Sequence, residues 1–286
     1  MFEILAARSL ASDVRWFRIR APLVAKHRKP GQFLILRLDD EGERIPLTIA
    51  DADPVRGTIE LIVKAVGKTT HALCEMTQGD RIRDVVGPLG RPTEILVGVH
   101  AVVVGGGVGT AVVYPLAQAL RNARSFVSAI IGGRTKELVV LENELAQVSD
   151  RLYPCTDDGS YGFHGTVADR LDALIGETER PIDVVYAAGP VPMMAAIAEL
   201  TRARGIRTIV SLNPIMVDGT GMCGGCRVSV GGQARFACVD GPEFDGHQVD
   251  FRELADRLTA YRALERVAME RYSHECQAMP LAEVST

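Results

Sequence analysis

The sequence has no long block of lysine or arginine, and its 286 residues carry a formal net charge of only -4. A chain without a basic block is poorly suited to nucleic acid or to an anionic membrane surface as its main partner. Internal repeats and low-complexity linkers are also missing from it. This composition therefore favours small molecules and other proteins as partners.

Long apolar runs are scarce as well, with one exception. Residues 96–120 are almost uncharged and long enough to cross a bilayer, but glycines interrupt them between 105 and 109. A buried strand, a glycine turn and a helix explain the same residues, because strands of a parallel sheet are apolar on both faces. Residues 1–10 alternate apolar and polar side chains, which predicts a strand rather than a signal peptide. We therefore expect no transmembrane segment and a cytoplasmic protein.

Cysteine is also scarce, and three of the six cysteines lie in one short stretch. Cys223, Cys226 and Cys238 follow Asp218 with the spacing Asp-x4-Cys-x2-Cys-x11-Cys. This is the plant-type two-iron, two-sulfur spacing with Asp218 in the place of the first cysteine. Glycines between these residues allow the backbone to fold tightly around a cluster and to direct N–H groups at its sulfides. The spacing predicts a [2Fe-2S] cluster with Asp218, Cys223, Cys226 and Cys238 as ligands.

Two other uses of these cysteines remain open. Zinc also binds Cys-x2-Cys and accepts aspartate, although zinc sites usually combine two short Cys or His clusters and this chain has one. Disulfide bonds would leave an odd thiol among the three cysteines, in a chain without a secretory context. A zinc-stapled, nucleotide-binding regulator without redox activity is therefore the alternative of a different class, and it would be colourless.

Hydrophobic periodicity divides the chain into three parts. Short alternating runs separated by Pro-Gly and Asp-Pro turns in residues 1–97 predict an antiparallel β-barrel or sandwich. Buried strands alternate with helices in residues 98–211, which predicts a doubly wound parallel sheet. Residues 212–286 contain the cysteine stretch, a hairpin signal at Gly231-Gly232 and an amphipathic C-terminal helix. The hairpin would bring Cys238 back beside Cys223 and Cys226.

A glycine turn opens the second part. The run Gly105-Gly106-Gly107-Val108-Gly109-Thr110 follows a strand and begins a helix, which is where a dinucleotide pyrophosphate meets a helix N-terminus. It departs from Gly-x-Gly-x-x-Gly because Thr110 replaces the last glycine. A tight strand-to-helix turn without a ligand would show the same residues.

The order of a small barrel, a nucleotide-binding sheet and a two-iron cluster resembles the ferredoxin-NADP reductase superfamily. Residues 213–226 and 237–244 are the most specific segments. They resemble the electron-transfer subunits of dihydroorotate dehydrogenase and, more closely, the small subunits of NADH-dependent ferredoxin:NADP oxidoreductases, also called sulfide dehydrogenase beta subunits. The latter family is known for an aspartate among its cluster ligands, which matches Asp218, whereas the dihydroorotate dehydrogenase subunits normally have four cysteines.

This resemblance implies a flavin and iron-sulfur electron-transfer subunit. It would pass electrons between NAD(H) or NADP(H), FAD, the [2Fe-2S] cluster and a larger flavin and iron-sulfur subunit, in a heterodimer or a higher assembly, with ferredoxin reached through that partner. The cofactors carry the chemistry, so we expect no catalytic side chain. Flavin bifurcation and the choice between NADH and NADPH are left open.

The resemblance also implies where the cofactors bind. FAD would lie on a barrel strand with Arg44, Pro46, Leu47 and Thr48, in which Arg44 stands one residue early for the family's Arg-x-Tyr-Ser motif. The turn with Gly67, Thr69 and Thr70 would hold a pyrophosphate through backbone N–H groups and the Thr70 hydroxyl.

The nicotinamide dinucleotide would bind at the glycine turn of residues 105–110. Gly189, Pro190 and Met193 would approach the nicotinamide, in a segment similar to Cys-Gly-Pro-x-x-Met that has alanine in place of the cysteine. Asp157 and Asp158 match an acidic turn of the family. Hydride transfer to a flavin needs apposition of the two rings rather than a thiol, so the alanine is compatible with activity.

Overall fold

The structure of the protein is a computed structural model, and residues 1–278 are described. The first part is an antiparallel β structure, as the alternating runs predict. A five-stranded sheet in the order β5-β6-β2-β1-β7 packs with a three-stranded sheet in the order β4-β3-β8. The strands are β1 (Phe2–Ala11), β2 (Val14–Arg20), β3 (Phe33–Arg37), β4 (Ile45–Thr48), β5 (Asp51–Asp53), β6 (Thr58–Lys64), β7 (Arg81–Ile82) and β8 (Asp84–Leu89), and the helices are α1 (Pro22–His27) and α2 (Lys68–Glu75).

Strand β3 contributes to two separate hydrophobic cores. Leu34 and Leu36 point into the barrel and pack with Phe17, Leu61 and other inward residues. The alternate residues of the same strand, Phe33 and Ile35, belong to a different core that lies outside the barrel. Successive side chains of a strand point to opposite faces, so β3 forms a wall between two buried environments.

The second part is the predicted parallel sheet. Its seven strands follow the order β12-β11-β10-β9-β13-β14-β17, and every pairing is parallel except that of β14 with β17. The strands are β9 (His100–Gly106), β10 (Phe126–Gly133), β11 (Arg151–Thr156), β12 (Phe163–His164), β13 (Val184–Ala188) and β14 (Arg207–Ser211), with β17 (Glu243–Asp245) added from the third part. The helices are α3 (Thr110–Asn122), α4 (Glu142–Val148), α5 (Val167–Glu177) and α6 (Val191–Ala203).

The third part contains the cysteine stretch and is joined to both other parts. A hairpin of β15 (Arg227–Val230) and β16 (Gln233–Phe236) leads into the short helix α7 (Ala237–Asp240). The predicted amphipathic helix is two helices, α8 (Phe251–Thr259) and α9 (Arg262–Ala278), with a break at Ala260-Tyr261. Helix α9 reaches the barrel, where the Tyr272 hydroxyl donates a hydrogen bond of 2.5 Å to Glu75 Oε2.

The barrel and the parallel sheet share a small hydrophobic core. Trp16 and Ala50 of the barrel pack with Ala111, Val140 and Leu141 of the sheet part. Leu141 has a left-handed backbone with φ of 60° and is only 7% exposed, so packing across the interface holds an unfavourable conformation in place. Within residues 1–278, no helix has the length and apolar character that are needed to cross a membrane.

Candidate functional site

Two of the predicted cluster ligands form a buried pair. The Sγ atoms of Cys226 and Cys238 lie 3.2 Å apart, and each residue is 1% exposed. The hairpin brings them together, because Cys226 precedes β15, Cys238 follows β16, and Arg227 pairs with Phe236. Burial raises the pKa of the Cys238 thiol to about 12. Thiolates here therefore need a bound cation to compensate their charge.

The other two predicted ligands lie at the exposed side of the loop. Asp218 Oδ1 accepts a hydrogen bond of 2.9 Å from the Thr220 N–H, and Oδ2 accepts one of 2.7 Å from the Cys223 N–H. These hydrogen bonds lower the pKa of the Asp218 carboxyl group below its ordinary value, and the bond from Thr220 has the larger effect. Cys223 is exposed, whereas Cys226 and Cys238 are buried. The hairpin thus places Cys238 beside Cys226, and Cys223 lies next to Asp218 instead. The prediction that all three cysteines converge is therefore correct only for the buried pair in this structure.

The predicted ligands lie as two pairs, Cys226 with Cys238 and Asp218 with Cys223. Within residues 1–278, no group of three or more candidate ligand side chains is gathered closely enough to hold a single metal ion. A two-iron cluster instead takes ligands at two metal centres. Backbone donors also lie near the sulfurs, since the N–H groups of Gly225 and Cys238 approach the Sγ atoms of Cys223 and Cys226 at 3.5 Å each.

The predicted flavin strand β4 lies directly beside β3. Thr48 pairs with Phe33 and Pro46 pairs with Ile35, so Pro46 and Thr48 face the outside of the barrel. Leu47 packs against the barrel core on the opposite face. Arg44 precedes the strand and is exposed, which agrees with its shifted place in the motif.

The predicted pyrophosphate turn opens helix α2. The Thr70 hydroxyl accepts hydrogen bonds from the N–H groups of Val66 (2.9 Å) and Gly67 (3.0 Å), and the buried Thr69 hydroxyl donates one of 2.7 Å to Glu43 Oε2. Both hydroxyls are thus occupied by protein groups. The N–H groups of the first turn of α2 are the donors that the turn offers to an anion.

The two predicted nicotinamide turns are in contact. They follow the neighbouring parallel strands β9 and β13 at the same edge of the sheet. A Cβ atom built on Gly109 would overlap the Ala188 carbonyl oxygen, and one built on Gly106 would overlap Met193 Sδ. Glycine is therefore required at residue 109 for the two backbones to approach each other, whereas a methyl group at residue 106 would displace the Met193 side chain. The structure brings residues 105–110 together with Gly189, Pro190 and Met193, as the sequence predicts.

The acidic turn lies two strands away from the glycine turn, after β11. Asp158 accepts hydrogen bonds from Ser160 N–H (2.9 Å) and Ser160 Oγ (2.6 Å), and these bonds lower the pKa of its carboxyl group. The Asp157 N–H donates to Gly133 O at 3.1 Å and the Asp158 N–H donates to Arg134 O at 3.2 Å. The acidic turn and Arg134 thus occupy one exposed edge.

Three groups near the interface of barrel and sheet are not predicted from the sequence. Arg28 Nη2 donates to the carbonyl oxygens of Ile49 (3.0 Å) and Ala50 (3.1 Å), directly after Thr48. Burial lowers the pKa of Arg28 and raises that of Asp51. Burial also raises the pKa of Tyr114, which lies on α3 of the sheet part. No sequence motif marks them, because their proximity comes from packing between distant segments.

Comparison with known families supports two of the three parts. The oxidoreductase FAD-binding domain matches residues 1–93, and the iron-sulfur cluster binding domain of dihydroorotate dehydrogenase B matches residues 213–250. The second match confirms the iron-sulfur interpretation of the cysteine stretch over the zinc alternative.

Two curated relatives cover most of the chain. The dihydroorotate dehydrogenase B (NAD(+)), electron transfer subunit homolog of Thermotoga maritima is 49% identical, over 94% of this chain and 95% of its own length. The dihydroorotate dehydrogenase B (NAD(+)), electron transfer subunit of Geobacillus thermodenitrificans is 35% identical, over 86% of this chain and 96% of its own length.

Solved structures agree with the fold. A structure of the NADH-dependent reduced ferredoxin-NADP oxidoreductase, which gave insights into flavin-based electron bifurcation, has a TM-score of 0.90 and 48% identity, and the match covers 96% of this chain and 98% of that one. The ferredoxin reductase in carbazole 1,9a-dioxygenase has a TM-score of 0.61 and 24% identity over 72% of this chain and 64% of its own, which shows the fold alone. The barrel, parallel sheet and iron-sulfur part are confirmed as the fold class.

Proposed function

This chain belongs to the family of dihydroorotate dehydrogenase B electron-transfer subunits, and from that membership we propose that it carries electrons between a nicotinamide dinucleotide and a larger partner subunit. It is an oxidoreductase subunit with an FAD-binding domain and an iron-sulfur cluster-binding domain. FAD, when bound, exchanges a hydride with the nicotinamide and single electrons with the cluster.

One observation carries the proposal most directly. Val108 and Ala111, which belong to the glycine turn and to the helix that it opens, pack in the same hydrophobic core as Ala50. Ala50 lies two residues after Thr48 on the predicted flavin strand. The edge that would hold the nicotinamide therefore faces the strand that would hold the flavin, which is the apposition that hydride transfer requires.

The side chains and backbone act by binding and positioning. Gly106 and Gly189 make room for the Met193 side chain between the two nicotinamide turns, and the free N–H groups at the start of α2 would bind the flavin pyrophosphate. Arg28 fixes the carbonyl groups of Ile49 and Ala50 beside the flavin strand. Asp218, Cys223, Cys226 and Cys238 would hold the [2Fe-2S] cluster.

The surface around the exposed ligand pair supports a partner that docks over the cluster. Met222 is 89% exposed, Val217 is 46% exposed and Val239 is 37% exposed, and all three lie close in sequence to a predicted ligand. Exposed apolar residues in one place mark interaction surfaces. The partner that we propose is a larger flavin and iron-sulfur subunit in a cytoplasmic complex, with ferredoxin reached through it.

Asp218 supports one of two possible kinds of complex. Its carboxylate lies beside Cys223, at the position of the first ligand in the plant-type spacing. This favours a small subunit of the NADH-dependent ferredoxin:NADP oxidoreductase type over a dihydroorotate dehydrogenase subunit with four cysteine ligands. The boundaries that we propose, 1–97, 98–211 and 212–286, enclose the two family matches.

The test is anaerobic purification of the native complex, followed by cofactor analysis. We expect one FAD with about two irons and two acid-labile sulfides per chain, and we expect NADH or NADPH to bleach the flavin. Zinc without sulfide, or a flavin that both dinucleotides leave oxidised, would overturn the proposal.

A further inference from the structure

The outer face of β3 meets the iron-sulfur part. Phe33 and Ile35 are 4% and 1% exposed, and they share one buried core with the ligand residues Cys226 and Cys238. The outer face of the barrel wall and the buried half of the cluster site therefore belong to the same hydrophobic core.

The loop that carries Asp218 rests on the same face. Gly219 has a φ of 76°, and a Cβ built on it would lie 2.5 Å from Leu89 Cδ1 and 3.1 Å from Ile35 Cγ1. Leu89 belongs to β8, the neighbour of β3, where it pairs with Phe33. A side chain at residue 219 would thus push the loop away from the barrel, in addition to straining the backbone.

The predicted flavin strand lies on the other side of β3. In an antiparallel pair, residues directly opposite each other point to the same face. Thr48 is opposite Phe33, and Pro46 is opposite Ile35. The flavin-facing side chains of β4 and the loop on β8 therefore share one face of a three-stranded sheet, and two strand spacings separate them, or about 10 Å.

We propose that the outer face of β3, formed by Phe33 and Ile35, is the medium through which electrons pass between FAD and the cluster, and that Gly219 sets the width of this gap. The inference rests on the proposed function and names the route within it. Electron-transfer rates fall steeply with the distance between donor and acceptor, so a displaced loop slows transfer even when both cofactors remain bound.

The electron balance is simple. One electron leaves the reduced flavin and reduces one ferric ion of the cluster to ferrous. The second electron follows after the cluster has passed the first to the partner subunit, and the protons released by the flavin go to solvent. No further oxidant is needed.

The main test is Gly219→Ala in the FAD- and cluster-loaded protein. After anaerobic mixing with NADH, we expect flavin reduction at the rate of the unaltered protein and reduction of the cluster that is several-fold slower. We also expect a weaker spin–spin interaction between a flavin radical and the reduced cluster, which reports their separation independently of turnover. Gly205→Ala is the matched control, because Gly205 has a φ of 67°, open space around its Cβ position and a place in the turn between α6 and β14.

A second pair of variants tests the same inference if Gly219→Ala loses its cluster. Ile35→Val trims the outer face of β3, whereas Ile59→Val makes the same change at a residue of β6 that is 0% exposed in the barrel core. We expect slower cluster reduction in Ile35→Val than in Ile59→Val. Equal rates within this pair would overturn the inference.

The outcomes separate the two proposals. If Gly219→Ala keeps its FAD and iron and shows the transfer rate and spin interaction of the unaltered protein, or if Gly205→Ala slows transfer equally, the route is wrong and the proposed function stands. If the unaltered protein lacks FAD or iron, or its flavin is not reduced, the proposed function fails and the route fails with it.

Discussion

Thr93 Oγ1 donates a hydrogen bond of 2.7 Å to Glu243 Oε1, and this bond joins the connection between barrel and sheet to strand β17. Glu243 lines a cavity of about 250 Å³ together with Arg91, Tyr186 and Arg207. Glu94, Asp240 and Asp245 line the same cavity. Burial raises the pKa of Glu243 to about 7, and it raises the pKa of Tyr186 to about 12. Of these two groups, Glu243 is the one that titrates near neutral pH.

This pKa shift gives a prediction of how stability depends on pH. Glu243 ionises at 4.5 in its ordinary state and at about 7 in the folded protein, so the unfolded chain loses its proton first as pH rises. The free energy of unfolding should therefore fall between about pH 4.5 and pH 7, by an amount on the order of a few kcal/mol, and level off above. Denaturant unfolding of the loaded protein across this range should show a smaller fall in Glu243→Gln. Glu199→Gln, on an 83% exposed side chain, is the control, and a Glu243→Gln curve parallel to that of the unaltered protein would contradict the prediction.

The second prediction concerns Asp218, whose two oxygens each accept a backbone hydrogen bond. A thiolate donates more electron density than a carboxylate, so Asp218→Cys should keep the cluster and change its reduction potential and EPR spectrum. Asp218→Ala should lose iron, because one iron is left with one protein ligand instead of two. The iron content, the reduction potential of the cluster and the EPR spectrum of both variants test this prediction.

Asp218→Asn separates ligation from capping. The asparagine oxygen can still accept one of the two N–H hydrogen bonds of the turn, but its NH2 group accepts none and the amide is a poor iron ligand. If Asp218 only caps the turn, the variant should keep its iron and lose only the stability that one hydrogen bond contributes. Unaltered iron content and spectra in Asp218→Ala would rule the carboxylate out as a ligand.

The third prediction tests the contact between the two nicotinamide turns. Gly106→Ala places a methyl group on Met193 Sδ, and the overlap should force Met193 or the turn to move. We expect NADH binding to weaken, because Met193 belongs to the segment that would approach the nicotinamide, by at most the cost of overpacking, about 1–3 kcal/mol, while FAD content stays the same. Titration of the loaded protein with NADH measures this. Gly176→Ala, where the added methyl meets open space, should leave NADH affinity unchanged, and equal affinities for all three proteins would contradict the prediction.

The fourth prediction concerns Arg28, which binds two successive carbonyl groups beside the flavin strand. Arg28→Leu leaves these carbonyl groups without their donor, which should cost about 1–3 kcal/mol of stability. Since Ile49 and Ala50 follow Thr48 directly, FAD should also be lost more readily on gel filtration. Arg56→Leu, at a 73% exposed side chain, is the control. Full FAD retention and unaltered stability in Arg28→Leu would show that these hydrogen bonds are dispensable.

The sequence predicts features whose signal is local. The ligand spacing from Asp218 to Cys238, the strand-turn-helix at Gly105 and the change from alternating to strand-helix periodicity all lie within short windows. The hairpin at Gly231-Gly232 also correctly predicts that Cys238 returns to Cys226. These features depend on residue order more than on packing between distant segments.

Other features depend on contacts between distant segments, which a single sequence does not reveal. The addition of β17 to β14 joins residues 243–245 to a sheet that was expected to end at residue 211. The hydrogen bonds from Arg28 to Ile49 and Ala50 span about 20 positions. The break at Ala260-Tyr261 interrupts a helical stripe whose periodicity continues through it, because backbone geometry there follows packing rather than pattern.

Strand β17 has a mechanical consequence. The iron-sulfur part is hydrogen-bonded to the parallel sheet through β17, and the Arg91 N–H and side chain bind the carbonyl groups of Gly241 (2.6 Å) and Val239 (3.1 Å) from the barrel side. Because it is attached on two sides, this part differs from a tethered carrier domain that moves between an electron donor and an electron acceptor. We therefore expect the folded structure to fix the spacing between the flavin site and the cluster site, so that it is not reset in each catalytic cycle.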